Sequence, residues 1–284
     1  MANNMQRMEG SFTPTSQIKL FTLTWLPDGD PNAIVILVHG VGEHAGRYEG
    51  VAERLVNAGY AVYGYDHQGH GRSDGTKTHF KDGIPGAVTD LTEYAETVMV
   101  AHAGKPFFLY GHSMGSLISL LYLLNHQDKY TGWVSTGNPV HSDQVVAGPL
   151  VQLVKAVGSV IPKARLIKLE GGGISSDPDE VAAYDNDPLV DRNPLRVGMV
   201  SQIFKHAASI RPQLDQVTLP MLIMHGADDP IAPASGSQYV YDHVGSADKT
   251  LKIFPAQLHE IHHERDTTEF FADLLAWLDR QTTA

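Results

Sequence analysis

Three stretches of this chain hold side chains that could share one reaction. Gly111-His112-Ser113-Met114-Gly115 sets a serine between two glycines, each two residues away. Asp228-Asp229 and His259 come much later, each just past a short apolar run. A serine hydroxyl is a poor nucleophile at neutral pH. It needs an imidazole to take its proton and a carboxylate to orient that imidazole. Serine, then acid, then histidine, each at the C-terminal end of a strand, is the chain order that a nucleophile elbow on a sheet requires. The chemistry implied is attack by Ser113, with negative charge developing on a substrate oxygen. Backbone N–H groups must meet that charge. Met114, directly after the serine, and Val41, in the loop after Ala33–Val38, are the expected donors.

The context of each residue narrows the choice. The apolar run Phe107-Phe108-Leu109-Tyr110 leads straight into the pentapeptide, and helix formers follow from Leu117 to Leu124. A strand, a sharp turn and a helix are what give the pattern its meaning. A second match, Gly71-Arg72-Ser73-Asp74-Gly75, has no such strand before it, and Lys81 to Gly86 reads as a chain break after it. It reads as a turn. The acid is Asp229 or Asp228. Asp229, the third residue after Gly226, fits the elbow order better, and Asp228 reads as a turn or cap residue. His259 is the first histidine after the last strand, while His262 and His263 fall on the next turn. A metal reading of these histidines lacks partners at a familiar ligand spacing, so neither metal nor cofactor is expected.

Strands that alternate with helices must carry these groups. The runs Lys19–Leu26 (an edge strand), Ala33–Val38, Tyr60–Tyr65, Phe107–Tyr110, Thr131–Ser135, Met221–Met224 and Leu251–Phe254 read as strands. Helical spacing covers Tyr48–Ala58, Val88–Ala103 and Phe270–Leu278. The pattern predicts an α/β fold, a mostly parallel central sheet with helices on both faces. The alternation lapses between His141 and Arg211, where Gly171-Gly172-Gly173 and Asp177-Pro178 stand. Residues 141–211 are therefore expected to be an inserted cap on a core formed by 1–140 and 212–284. Within the cap, Leu150, Leu153, Val154, Val157 and Ile161 sit at helical spacing. That stripe either packs on the body or serves as an acyl-chain lid that touches lipid surfaces.

Composition excludes other classes. The net charge of −11 disfavours nucleic-acid binding, which needs clustered Lys and Arg. Without cysteine there is no disulfide, no thiol catalysis and no Cys-type zinc site. The opening MANNMQRMEGSF lacks an apolar signal core, and no run of eighteen apolar residues occurs. A cytoplasmic protein, peripheral at membrane surfaces, is the expectation.

HGVGEHAGRY (39–48), DHQGHGRSDG (66–75), GHSMG (111–115), DPDEVAAYDNDPLV (177–190), HGADDPIAP (225–233) and LKIFPAQLHEIHHE (251–264) together resemble the monoacylglycerol lipases of the α/β-hydrolase superfamily. The likeness spans about residues 20 to 280. It implies Ser113, Asp229 and His259 as a catalytic triad, with Val41 and Met114 as oxyanion donors. It also implies that Glu43, Arg47, His112, Tyr184 and His262 read a glycerol head group. The implied activity is hydrolysis of a monoacylglycerol to fatty acid and glycerol through an acyl-enzyme. A broader carboxylesterase or lysophospholipase, or an acyltransferase, would use the same triad, and the intact triad argues against a mere binding module. The chain departs from the pattern at Ser116, where these lipases usually continue GHSMGG.

Overall fold

The computed structural model describes residues 5–144, 148–167 and 171–283. The strands are β1 (Gln6–Phe12), β2 (Leu20–Leu26), β3 (Ala33–Val38), β4 (Tyr60–Tyr65), β5 (Phe107–His112), β6 (Gly132–Thr136), β7 (Arg165–Ile167), β8 (Leu195–Arg196), β9 (Met221–Gly226) and β10 (Lys249–Phe254). The helices are α1 (Glu49–Asn57), α2 (Gly83–Ala101), α3 (Met114–His126), α4 (Gly148–Val160), α5 (Pro178–Asn186), α6 (Val197–Ile210), α7 (Ser235–His243) and α8 (Thr268–Thr283).

Eight strands form one sheet in the order β1-β2-β4-β3-β5-β6-β9-β10. The pairs β1/β2 and β2/β4 are antiparallel, and every other pair is parallel. β3, β5 and β9 are buried along their whole length, which is why they read as continuous apolar runs. Their side chains alternate between two cores. Ile34, Ile36 and Val38 face one with Leu91 of α2, Leu117 of α3 and Ile203 of α6. Val35 and Leu37 face the other with Val51 and Leu55 of α1 and Phe270 and Leu274 of α8.

Three of the differences from the reading of the sequence have a plain physical reason. β2 is not an edge strand, because β1 pairs outside it. All of β1 but its last residue is exposed, so no apolar alternation marks it. α2 begins at Gly83 rather than Val88 and takes in Pro85. Proline fits the first turn of a helix, whose N–H groups have no intrahelical partner. The stretch that reads as a chain break is the start of a helix. Finally, the segment between β6 and β9 holds two long helices, α4 and α6, beside the short pair β7/β8.

That segment has its own apolar cluster of Val151, Val154, Leu195, Val197, Val200 and Phe204. α6 serves both sides, since Met199, Ile203, Ala207 and Ile210 belong to the body core. α4 turns Val151 and Val154 inward, but Leu150, Leu153, Val160 and Ile161 are exposed, and so is Leu166 on β7. The stripe does not pack wholly on the body.

Glycine matters most at the elbow. A Cβ on Gly115 would lie 2.0 Å from the Val38 carbonyl oxygen at the end of β3. Gly115→Ala should therefore cost more than about 3 kcal/mol, since the obstacle is backbone. Gly50, on the exposed side of α1, has nothing within 4 Å of such an atom. Gly50→Ala should add up to about 1 kcal/mol. Urea unfolding midpoints of the two variants should move in opposite directions.

Candidate active site

Ser113 follows β5 with φ 52° and ψ −122°. A left-handed conformation in a residue with a side chain costs about 1–3 kcal/mol and persists only where the surroundings impose it. Here the Ser113 N–H donates to Thr136 O of β6 at 2.9 Å, and Ser113 O accepts from Ser116 N at 2.9 Å. The flanking glycines leave room for these contacts. A Cβ on Gly111 would lie 2.8 Å from the Ser116 Cα. Ser116 itself fills a buried polar site, with its hydroxyl 2.5 Å from Ser135 Oγ and accepting from Asn138 Nδ2 at 2.9 Å. The hydroxyl thereby ties the first turn of α3 to the loop after β6. Ser73 of the other pentapeptide donates to Asp66 O and accepts from Phe21 N, so it is a turn residue.

β9 and β10 bring the acid and the imidazole together. Gly226 closes β9, and a Cβ there would meet Leu258 O at 2.0 Å. The chain before His259 thus crosses directly over Gly226. Asp229 is buried and Asp228 exposed. Asp229 Oδ2 lies 2.6 Å from His259 Nδ1 and 2.9 Å from His225 Nε2. Its Oδ1 accepts from the N–H groups of Ile231 at 2.8 Å and Ala232 at 2.9 Å. Burial alone would raise the pKa of this carboxyl, but the nearby imidazoles and their hydrogen bonds outweigh it and hold the acid well below its ordinary range. His259 shows the mirror effect. Burial opposes its charge, yet Asp229 draws its pKa above 6.5. With Nδ1–H given to Asp229, the Nε2 lone pair is left to receive a proton.

His225 is a member of this cluster that sequence reasoning missed. It is fully buried. Its Nε2 also lies 2.8 Å from Ala232 O, and two acceptors on one nitrogen place the proton there. Nδ1 then accepts from Ser237 Oγ at 2.6 Å. Its position four residues before Asp229, at the strand end, is the one signal that could have marked it.

Ser113 and His259 open onto one cavity of about 390 Å³. Val41, Glu43, His112, Tyr184 and Glu260 line it as well. Neither the Val41 nor the Met114 N–H donates a hydrogen bond within the described residues, so both amides can serve an incoming oxyanion. The five residues assigned to the head group divide. Glu43, His112 and Tyr184 reach the cavity, whereas Arg47 and His262 do not line it. The Arg47 side chain lies covered behind the wall, bound to both oxygens of Glu260 at 2.6 and 2.7 Å and to Glu43 at 3.1 Å, with the Tyr184 ring over its guanidinium. His262 is stacked on Tyr48 at 5.0 Å, and neither ring nitrogen has a partner among the described residues. Burial, with His263 and His112 nearby, pushes its pKa well below 6.5, so the ring stays uncharged. Glu43 accepts from Gly40 N at 2.6 Å and from Tyr48 OH at 2.7 Å, which shapes the loop before Val41.

Among the described residues, Glu260, His262 and His263 form a group compact enough for a metal ion. The Arg47 guanidinium already occupies both Glu260 oxygens, and the ring nitrogens of His263 lie 2.8 Å from that carboxylate and 3.0 Å from Arg47 O. A second cation there would face that fixed positive charge.

Residues 29–266 match the family model described as serine aminopeptidase, S33. A monoacylglycerol lipase of Mycolicibacterium smegmatis is 34% identical over 96% of this chain and 97% of its own. The monoglyceride lipase of Homo sapiens is 31% identical over 93% of this chain and 88% of its own. The crystal structure of Paleococcus ferrophilus monoacylglycerol lipase superposes with a TM-score of 0.82 at 29% identity, covering 92% of this chain and 99% of that one.

Two outcomes follow from the cluster. Asp229→Asn should lower kcat by about 10⁴ through the wrong imidazole tautomer, while Asp228→Asn changes it little. Ester-cleavage kinetics of the pair check the assignment, and the reverse result would overturn it. A base must be neutral to take a proton, so kcat/KM should fall as pH drops through the raised pKa of His259. The acid limb of the pH profile should therefore have its midpoint above 6.5, and Asp229→Asn should move it to lower pH.

Proposed function

Since the chain belongs to the serine aminopeptidase S33 family of α/β-hydrolases, among its monoacylglycerol lipases, we propose that it hydrolyses monoacylglycerols to fatty acid and glycerol. It is an ester hydrolase, and the single observation behind the mechanism is the 2.6 Å contact of His259 Nδ1 with Asp229 beside the cavity onto which Ser113 opens. Ser113 Oγ attacks the ester carbonyl and gives its proton to His259 Nε2. The carbonyl oxygen becomes an oxyanion held by the Val41 and Met114 amides. His259 returns the proton to the leaving glycerol oxygen, and the C–O bond breaks to leave an acyl-enzyme on Ser113. A water molecule, deprotonated by His259, then attacks the acyl carbon. Collapse releases the fatty acid and restores the Ser113 hydroxyl.

The polar part of the cavity suits the glycerol side, with Glu43, His112 and Tyr184 in reach. Arg47 and His262 act behind them and keep that wall in shape. Residues 141–211 act as the cap. Its exposed Leu150, Leu153, Val160, Ile161 and Leu166 form an apolar face for the water–lipid boundary where such substrates collect. No described helix is long and apolar enough to cross a membrane, so contact with lipid is peripheral in this reading.

A fluorophosphonate probe should label the native protein at Ser113 and leave Ser113→Ala unlabelled. Monoacylglycerols should be cleaved faster than di- and triacylglycerols of the same acyl chain by about tenfold or more, roughly 1.4 kcal/mol in the barrier. Equal rates on all three would overturn the substrate class, and an unlabelled serine would overturn the mechanism.

A further inference from the structure

The loop that carries the Val41 amide is built from two sides. The body holds it through Glu43, which accepts from Gly40 N, and through Asp66 Oδ1, which accepts from Ala45 N at 2.9 Å. The cap holds it through three other contacts. Asp191 N donates to Gly42 O at 2.8 Å. His44 Nε2 meets Asp187 Oδ2 at 2.8 Å. The Val41 side chain packs against both the body core and the cap cluster. Two of the quoted motifs, GEHAGRY and AYDNDPLV, thus meet across the body–cap boundary.

The cap end of these contacts is itself fixed. Asp187 closes α5, and its Oδ1 accepts from Leu189 N at 2.8 Å. Asp191 is bound by Arg165 of the cap at 2.7 Å, and the Thr78 hydroxyl of the body also donates to it. At the loop end, His44 uses both ring nitrogens. Nδ1 accepts from Gly46 N at 3.2 Å and caps the single helical turn Ala45–Tyr48. The proton therefore sits on Nε2, which donates it to Asp187.

We propose that His44 is a positioning residue for the oxyanion hole: through Asp187 it locks the cap onto the loop that carries the Val41 amide, so that the hole is complete only while the cap is seated. Gly40 and Gly42 flank Val41, and Gly42 has a positive φ of 79°, so the intervening amide depends on outside contacts for its direction. A cap that lifts to admit substrate takes the Asp187 and Asp191 contacts with it. Ser113 then keeps only the Met114 donor until the cap returns. Turnover is in this way coupled to closure without any contact between His44 and the reacting atoms.

The two nitrogens can be separated. An Asn side chain places its oxygen near the position of Nδ1, and a Gln side chain places its amide N–H near that of Nε2. His44→Asn keeps the turn cap and loses the tie to Asp187. His44→Gln keeps the tie and loses the cap. The reading rests on Ser113 as nucleophile, so each variant and the native protein are compared by fluorophosphonate labelling rate, by kcat and KM on p-nitrophenyl butyrate, by affinity for a trifluoromethyl ketone and by thermal midpoint. Complete loss of one oxyanion donor costs about 10²–10³ in kcat. A displaced donor should cost less, so His44→Asn is expected to lower kcat and ketone affinity about 10- to 100-fold with KM within about twofold. His44→Gln should keep at least about a third of kcat, and Asp187→Ala, which leaves the Nδ1 contact intact, should behave as His44→Asn does even where that variant folds poorly. Retention of kcat by His44→Asn, an equal loss in His44→Gln, or losses that track the thermal midpoint or KM would overturn the proposal. An unlabelled native Ser113 would instead remove the serine mechanism beneath it.

Discussion

A buried carboxylate with four N–H partners holds this site together. Asp229 is charged, and a charge removed from water is tolerable only where hydrogen bonds replace its hydration. Two donors are backbone amides two and three residues ahead, at Ile231 and Ala232. The other two are imidazoles from different places, His225 at the end of β9 and His259 after β10. The first pair shapes the turn after β9. The second pair joins neighbouring parallel strands at their C-terminal ends. Hydrogen bonds to a charged acceptor are stronger than neutral ones, so this carboxylate sets the turn, the imidazole direction and the spacing of two strand ends at once.

The rest of the site is arranged around that centre by close backbone approaches. Gly226 lets the chain before His259 pass over β9, and Gly115 lets the first turn of α3 press on the end of β3. Each removes a side chain where Ser113 or His259 must come near a neighbouring strand. The strained backbone of Ser113 is held by Thr136 on one side and by α3 on the other. The strain at Ser113, the close approaches at Gly115 and Gly226 and the buried charge of Asp229 thus meet at one rim of the sheet.

A second buried charge network stands beside the first. Arg47 links Glu43, which shapes the loop before Val41, to Glu260, the residue after His259. Removal of one member of such a network leaves the others unpaired in a dry environment, which costs more than the contacts themselves contribute. Arg47 and His262 matched a head-group pattern by residue type, but they lie one layer behind the cavity wall. Residue type carries the chemistry of a side chain and not the depth at which it sits.

Much of the plan could be read from the chain. Continuous apolar runs such as AIVILV and FFLY marked the buried strands, because a strand covered on both faces has no polar side. The glycine spacing around Ser113 and the later order of aspartate and histidine followed from what a hydroxyl needs in order to react. β1 leaves no mark in the sequence because an exposed strand pairs through its backbone, and the start of α2 is hidden because proline in a first turn looks like a break. The chain favoured Asp229 over Asp228 as the partner of His259, and the tertiary structure brings the two to 2.6 Å; it alone gave Asp229 the support of His225. It also joined His44 to Asp187, 143 positions apart. Local spacing is written in the chain, but a hydrogen bond between distant segments depends on where the sheet and the segment between β6 and β9 carry their ends, and neither residue records its partner.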